Sequence, residues 1–189
     1  SERTMCTFLG TAGKINDNDV KEKEIKNADI VFLEGYLWDE GEPKKAFDKA
    51  IMYSNKVAMS LSDLFCVERH KSHFLDLVKN KLDIIFANEQ EILSLTGSKS
   101  FDDSIVFCKQ TKKNIVITRG EKGAVSIKGD EIEECKAKTN LAIKDLTGAG
   151  DLFAAGYLHG LINNLSISEC LSKGTDLSSQ IIQKIGARI

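Results

Sequence analysis

Asp145-Leu146-Thr147-Gly148-Ala149-Gly150-Asp151, running into Leu152-Phe153-Ala154-Ala155-Gly156, has the composition of a tight glycine turn that launches a helix. Glycines on either side of Ala149 let successive backbone N–H groups converge on one point, and a helix beginning there adds its positive dipole end. Such a turn is suited to hold an anion, a phosphate above all. Asp151 falls within the first helical turn, where a carboxylate is ordinarily a helix-terminus stabiliser. With a phosphate on the same amides, that carboxylate would lie beside a reacting group and could take the proton of an incoming hydroxyl.

Two further groups of polar residues follow apolar runs. Asn88, three residues before Glu91, reads either as the cap of a helix beginning at Glu89 or as a pair that binds waters around magnesium. The first is a capping box, a motif that more usually begins with Ser or Thr. The second suits a cation that keeps much of its hydration shell when it bridges phosphates. Thr118-Arg119-Gly120-Glu121-Lys122-Gly123 reads on its own as a strand end and turn, with Arg119 a solvated charge.

The glycine turn and its continuation resemble the signature of the ribokinase-like (PfkB) carbohydrate and nucleoside kinases, Asp-Thr-x-Gly-Ala-Gly-Asp followed by a small, apolar helix. Leu146 departs from it, standing where that pattern usually has Thr. The resemblance implies that Asp151 is the catalytic base and that the amides of Gly148, Ala149 and Gly150 form an anion hole for the transferred phosphate. It further implies that Asn88 and Glu91 serve a magnesium network, that Thr118, Gly120 and Gly123 line the nucleotide pocket, and that Arg119 contacts phosphate. Asp145 would help place a metal or monovalent cation beside the anion hole.

The expected cofactors are then ATP and Mg2+, with a monovalent cation, and the expected reaction is phosphoryl transfer from ATP to a hydroxyl of a small-molecule sugar or nucleoside. Glu34-Gly35-Tyr36-Leu37-Trp38-Asp39 and Leu61-Ser62-Asp63-Leu64-Phe65-Cys66-Val67-Glu68-Arg69-His70 look like an adenosine-kinase-like branch, which leaves the acceptor open between adenosine and a sugar. Family members carry first strands, a Gly-Gly substrate motif and a small β lid that are not recognisable here. The 189 residues therefore resemble the C-terminal, nucleotide-side portion of such a kinase. On that basis the chain alone is expected to bind ATP weakly without useful turnover, and to self-associate as a homo-oligomer through an uncovered sheet edge. A nucleotide-binding module without catalytic competence is the alternative class.

These residues need elements to position them, and the chain supplies strand-helix alternation. Ser1–Gly10 reads as an opening strand, and Ile30–Leu33 as a strand buried on both faces. Helices over 42–54, 67–79, 89–95 and 101–111 alternate with strands at 56–60, 83–87 and 114–118. Strands at 124–127 and 131–137 form a hairpin around Gly129-Asp130, and the last helix covers 168–185. Repeated units of this kind imply right-handed crossovers. The expected fold is α/β: three-layer, doubly wound, with a mainly parallel sheet, helices on both faces, and one domain over 1–189. In such sheets ligands bind at the carboxyl ends of strands. Ser62-Asp63, Asn88 to Glu91, Thr118 to Gly123 and the glycine turn all follow strands at that end.

Composition removes several alternatives. With 42% apolar and 29% charged residues the chain has the balance of a globular protein rather than a disordered one. No apolar run approaches the roughly 20 residues that span a bilayer, and no signal pattern opens the chain, so a cytoplasmic protein with no membrane partner is expected. A net charge of −2 gives no support for nucleic-acid binding, which concentrates positive charge against phosphates. The five cysteines are odd in number and scattered, as buried or incidental thiols in a reducing compartment are. His70 and His73 lie three apart without a nearby Cys/His pair to complete a metal set, and read as surface histidines of a charged helix.

Overall fold

The computed structural model describes residues 6–38 and 42–189. Its elements run α1 (Glu22–Lys26), β1 (Val31–Glu34), α2 (Pro43–Tyr53), β2 (Val57–Ser60), α3 (Leu64–Asn80), β3 (Ile84–Asn88), α4 (Glu89–Thr96), α5 (Phe101–Thr111), β4 (Asn114–Thr118), β5 (Ala124–Lys128), β6 (Glu131–Cys135), α6 (Ala149–Ile162) and α7 (Ile167–Ile181). The strands lie in sequence order in a six-stranded, mainly parallel sheet. β1 runs parallel to β2 with Val31 opposite Val57, and β2 parallel to β3 with Ala58 opposite Ile84. The α/β class expected from the alternation is the observed one. The chain divides into two compact units, one built from Thr7–Ile115 with Ile127–Asp130 and the other containing Val116–Ser126 with Glu131–Ile189.

In the first unit, Val57, Ala58 and Met59 of β2 and Ile84 to Ala87 of β3 are buried at consecutive positions. Consecutive burial means that both faces of these strands are covered. α3 buries Cys66, Val67, Phe74, Leu77 and Val78, and α2 buries Ala46, Phe47 and Ala50, the stripes their spacing predicts. β1 departs from expectation. Of its residues only Leu33 is buried, and Phe32 stays 36% exposed, because among the described residues β1 ends the strand order and has a neighbour on one side alone. α3 begins three residues before the predicted start, since the Asp63 carboxylate accepts the Cys66 N–H at 2.7 Å and caps the helix there. The opening strand expected over 1–10 is absent from residues 6–9, which carry no regular structure; residues 1–5 and Asp39 lie outside the described residues.

In the second unit, α6 and α7 approach at backbone distance. A Cβ on Gly156 would lie 2.7 Å from Lys173 O, and one on Gly160 2.7 Å from Cys170 Sγ, so glycines four apart on one face let the helices close. The Tyr157 and Ser126 hydroxyls, 3.0 Å apart in the interior, tie α6 to β5, while Lys138 pairs with Asp176 of α7 at 2.8 Å. α7 ends at Ile181 rather than at the expected Ile185. Past that point the Ile182 carbonyl accepts the N–H groups of Lys144 at 2.8 Å and Asp145 at 3.3 Å, a tertiary partner in place of the next helical turn. Among the described residues no helix is long and apolar enough to cross a membrane.

Candidate active site

The helix expected after the glycine turn is α6. Gly148 is its N-cap, with φ +80°, and Ala149, Gly150 and Asp151 are its first three residues. α3, α4, α5 and α7 start at Asp63, Asn88, Ser100 and Ser166, each of which caps its helix with a side-chain oxygen. α6 has no side-chain cap. The Ala149 N–H donates to Leu146 O at 3.2 Å within the turn, so the first-turn donors that neither this bond nor a side-chain cap takes are those of Gly150 and Asp151. A Cβ on Gly150 would meet nothing within 4 Å, although glycine inside a helix costs about 1 kcal/mol relative to alanine. Packing does not require glycine there; close approach of a ligand to the backbone would. Asp151 is exposed beside that space.

The turn itself is held from behind. Asp145 Oδ1 accepts the Thr147 N–H at 2.9 Å and the Thr147 hydroxyl at 2.7 Å, and Oδ2 accepts the Gly186 N–H at 2.9 Å. A Cβ on Gly148 would lie 3.0 Å from that of Ala187, so the segment after α7 is seated on the turn. In this geometry Asp145 braces the turn, and the cation role expected of it would have to share oxygens that already accept protein donors.

Thr118 to Gly123 joins β4 to β5 as a closed turn, in which the Arg119 N–H donates to Gly123 O at 2.8 Å and the Gly123 N–H to Gly120 O at 3.0 Å. The two glycines differ. A Cβ on Gly123 would fall 2.0 Å from Cys135 O, so the fold itself demands glycine, whereas Gly120, at φ +57°, has nothing within 4 Å.

At the start of α4 the Asn88 side chain accepts the Glu91 N–H at 2.8 Å. The Glu91 carboxylate accepts the Asn88 backbone N–H at 2.9 Å and the side-chain amide at 2.6 Å. This is the capping box, formed with Asn in place of Ser or Thr. Glu91 is 4% exposed. Burial pushes its carboxyl up to about 7, against the bond from the Asn88 backbone, and the charge of Asp63 adds to the rise. A carboxylate so enclosed does not suit direct ligation of magnesium; with the exposed Asn88 above it, it suits ordering the cation's water shell. Among the described residues no group of three or more His, Cys, Asp or Glu could hold a metal ion.

The whole chain, residues 1–189, matches the family model described as pfkB family carbohydrate kinase. The chain belongs to the pfkB family. It is 35% identical to an adenosine kinase from Sinorhizobium meliloti of known structure, with a TM-score of 0.91 over 94% of this chain and 56% of that one. A probable sugar kinase from Rhizobium etli is 36% identical, with a TM-score of 0.89 over 92% of this chain and 54% of that one. A cytidine kinase from Thermococcus kodakarensis is 33% identical over 112 residues, which are 58% of this chain and 40% of that protein. This chain thus spans about half the length of the relatives it matches.

Of the residues that the pfkB resemblance singles out, Asp145, Gly148, Ala149, Gly150 and Asp151 are assembled on one turn, with Thr118 to Gly123 in the same unit; Asn88 and Glu91 belong to the other unit. Sequence reasoning missed the supports of the pfkB turn: Gly186 and Ala187 behind it, and the Tyr157 and Ser126 pair beneath its helix. The spacing of Gly156 and Gly160 was a readable signal of a close helix partner. His73 is engaged structurally, its Nδ1 accepting the Trp38 indole N–H at 3.3 Å.

Proposed function

We propose that the complete protein transfers a phosphoryl group from ATP to a hydroxyl of a sugar or nucleoside. The observation that carries this reading is the uncapped start of α6, with open space over Gly150 and an exposed Asp151 in the same turn. The amides of Gly148 to Gly150 hold the transferred phosphate, where preorganised donors oppose the charge that develops during transfer. Asp151 accepts the proton of the attacking hydroxyl. Thr118, Arg119 and Gly120 contact the nucleotide, while Asn88 and Glu91 orient waters of a magnesium ion. Magnesium bound with ATP supplies neutralisation of phosphate charge. Membership of the family and 35% identity to an adenosine kinase support the reaction class, and the acceptor is a small sugar or nucleoside on the same grounds.

Replacing Asp151 with Asn tests the assignment in the complete protein. Turnover should fall by about 10²-fold or more while ATP affinity, read by calorimetry, is preserved. Near-normal turnover would remove Asp151 from the role of base.

A further inference from the structure

The chain leaving β1 and the chain leaving β2 press together in the first unit. A Cβ on Gly35 would lie 2.8 Å from the Leu61 carbonyl oxygen, so glycine alone fits. The next residue, Tyr36, makes two hydrogen bonds to one partner: its backbone N–H donates to Ser62 Oγ at 3.2 Å and its hydroxyl donates to Ser62 O at 3.1 Å. Ser62 has φ +74°. That left-handed conformation costs a non-glycine residue roughly 1 kcal/mol or more, and it persists where the surroundings over-determine it. The bonds from Ser62 to Ser60 stay within its own turn, whereas Tyr36 reaches it from the helical turn that follows β1.

Asp63 follows directly. Its N–H donates to Leu61 O at 3.0 Å and its carboxylate caps α3, so its placement depends on how the chain passes through Ser62. Its charge is felt by two neighbours. After burial, it is the next cause that raises the Tyr36 hydroxyl, to about 12, and it adds to the burial that raises Glu91. The register agrees: Ser60 lies opposite Phe86 and the Leu61 N–H donates to Phe86 O at 2.9 Å, so Ser62 and Asp63 leave β2 alongside the Asn88 start of α4.

We propose that Tyr36 is a positioning residue, whose hydroxyl holds Ser62 in its left-handed turn and thereby keeps the Asp63 carboxylate beside Glu91 at the start of α4. Its consequence for magnesium rests on the kinase reading above; the geometry does not. Tyr36→Phe keeps the ring and removes the bond to Ser62 O. If holding Ser62 is the task of that hydroxyl, Ser62→Gly should restore what is lost, because glycine adopts a positive φ without strain.

Two readouts on the complete protein test this. In metal-free protein, Tyr36→Phe should speed hydrogen exchange at the Cys66 amide by about tenfold, and adding Ser62→Gly should return it toward wild type. In the phosphoryl-transfer assay, Tyr36→Phe should raise the magnesium concentration for half-maximal rate by about tenfold with the KM for ATP unchanged, and the double variant should recover. Unchanged exchange in Tyr36→Phe overturns the positioning role. Faster exchange with an unchanged magnesium requirement overturns the link to Glu91. Ser62→Gly alone sets the baseline for loss of the Oγ bond to the Tyr36 N–H, and a double variant that exchanges faster than that baseline shows that the hydroxyl does not act by holding Ser62. Absence of magnesium-dependent transfer in wild type would sink the kinase reading, while exchange at Cys66 would still decide the positioning.

Discussion

Two helix starts, both expected from the sequence to handle phosphate or metal, are built in opposite ways. At α4 the first turn closes on itself, with Asn88 and Glu91 exchanging hydrogen bonds and Glu91 enclosed. At α6 the cap is a glycine, no side chain closes the turn, and the space over Gly150 is empty of protein. A capping box occupies the donors that a ligand would otherwise take, so α4 can act on a cation only through its outer polar surface and water. An uncapped glycine start leaves its donors and dipole for an anion. The same kind of element is thus closed by its own side chains in one place and left without a side-chain cap in the other.

The contrast is broken most visibly by placing a carboxylate in the open turn. Gly150→Asp should leave stability equal or slightly raised, because acidic residues favour helix starts. Yet it should weaken ATP binding about a hundredfold or more, since like charges about 4 Å apart repel by about 4 kcal/mol at an effective dielectric constant near 20. Calorimetric titration and thermal melts read the two effects separately. Unaltered ATP affinity would put the phosphate elsewhere.

Smaller in size is the pH response of α4. The folded state raises Glu91 from 4.5 to about 7, so between those values it holds a proton that the unfolded chain has released. The linked stability is fully present below pH 4.5, falls as pH rises toward 7, and is flat above. The loss is on the order of 3 kcal/mol. Denaturant melts across this range, without divalent metal, should show the slope in wild type and little of it in Glu91→Gln; equal slopes would assign the effect to another group. Smallest is Asn88→Ala, which removes the cap and should cost about 1 kcal/mol in the same metal-free melts. A cost near zero would mean that the box does not form in solution.

Features set by local chemistry were legible in the sequence. The glycine turn, the start of α6 and the bounds of α5 and β4 follow from spacing, glycine placement and apolar runs, and the structure has them where the spacing puts them. Features set by distant partners were not. The exposure of Phe32 follows from the position of β1 in the strand order, and the early end of α7 from a carbonyl of Ile182 that pairs with Lys144 and Asp145. Gly123 could be read as a ligand-approach glycine because nothing nearby in sequence shows that Cys135 O will lie where its side chain would be. The Asn88 and Glu91 pair carried two readings, and the geometry displays the capping one while leaving a face for water.

The central claim, that the bare start of α6 is where phosphate is held, is tested most directly by backbone amide NMR of the protein titrated with ATP and magnesium. The largest shifts should fall on the amides of Gly148, Gly150 and Asp151. The amide of Glu91, which is already bonded to Asn88, should move far less. Saturable ATP binding that leaves the α6 amides in place would contradict the account.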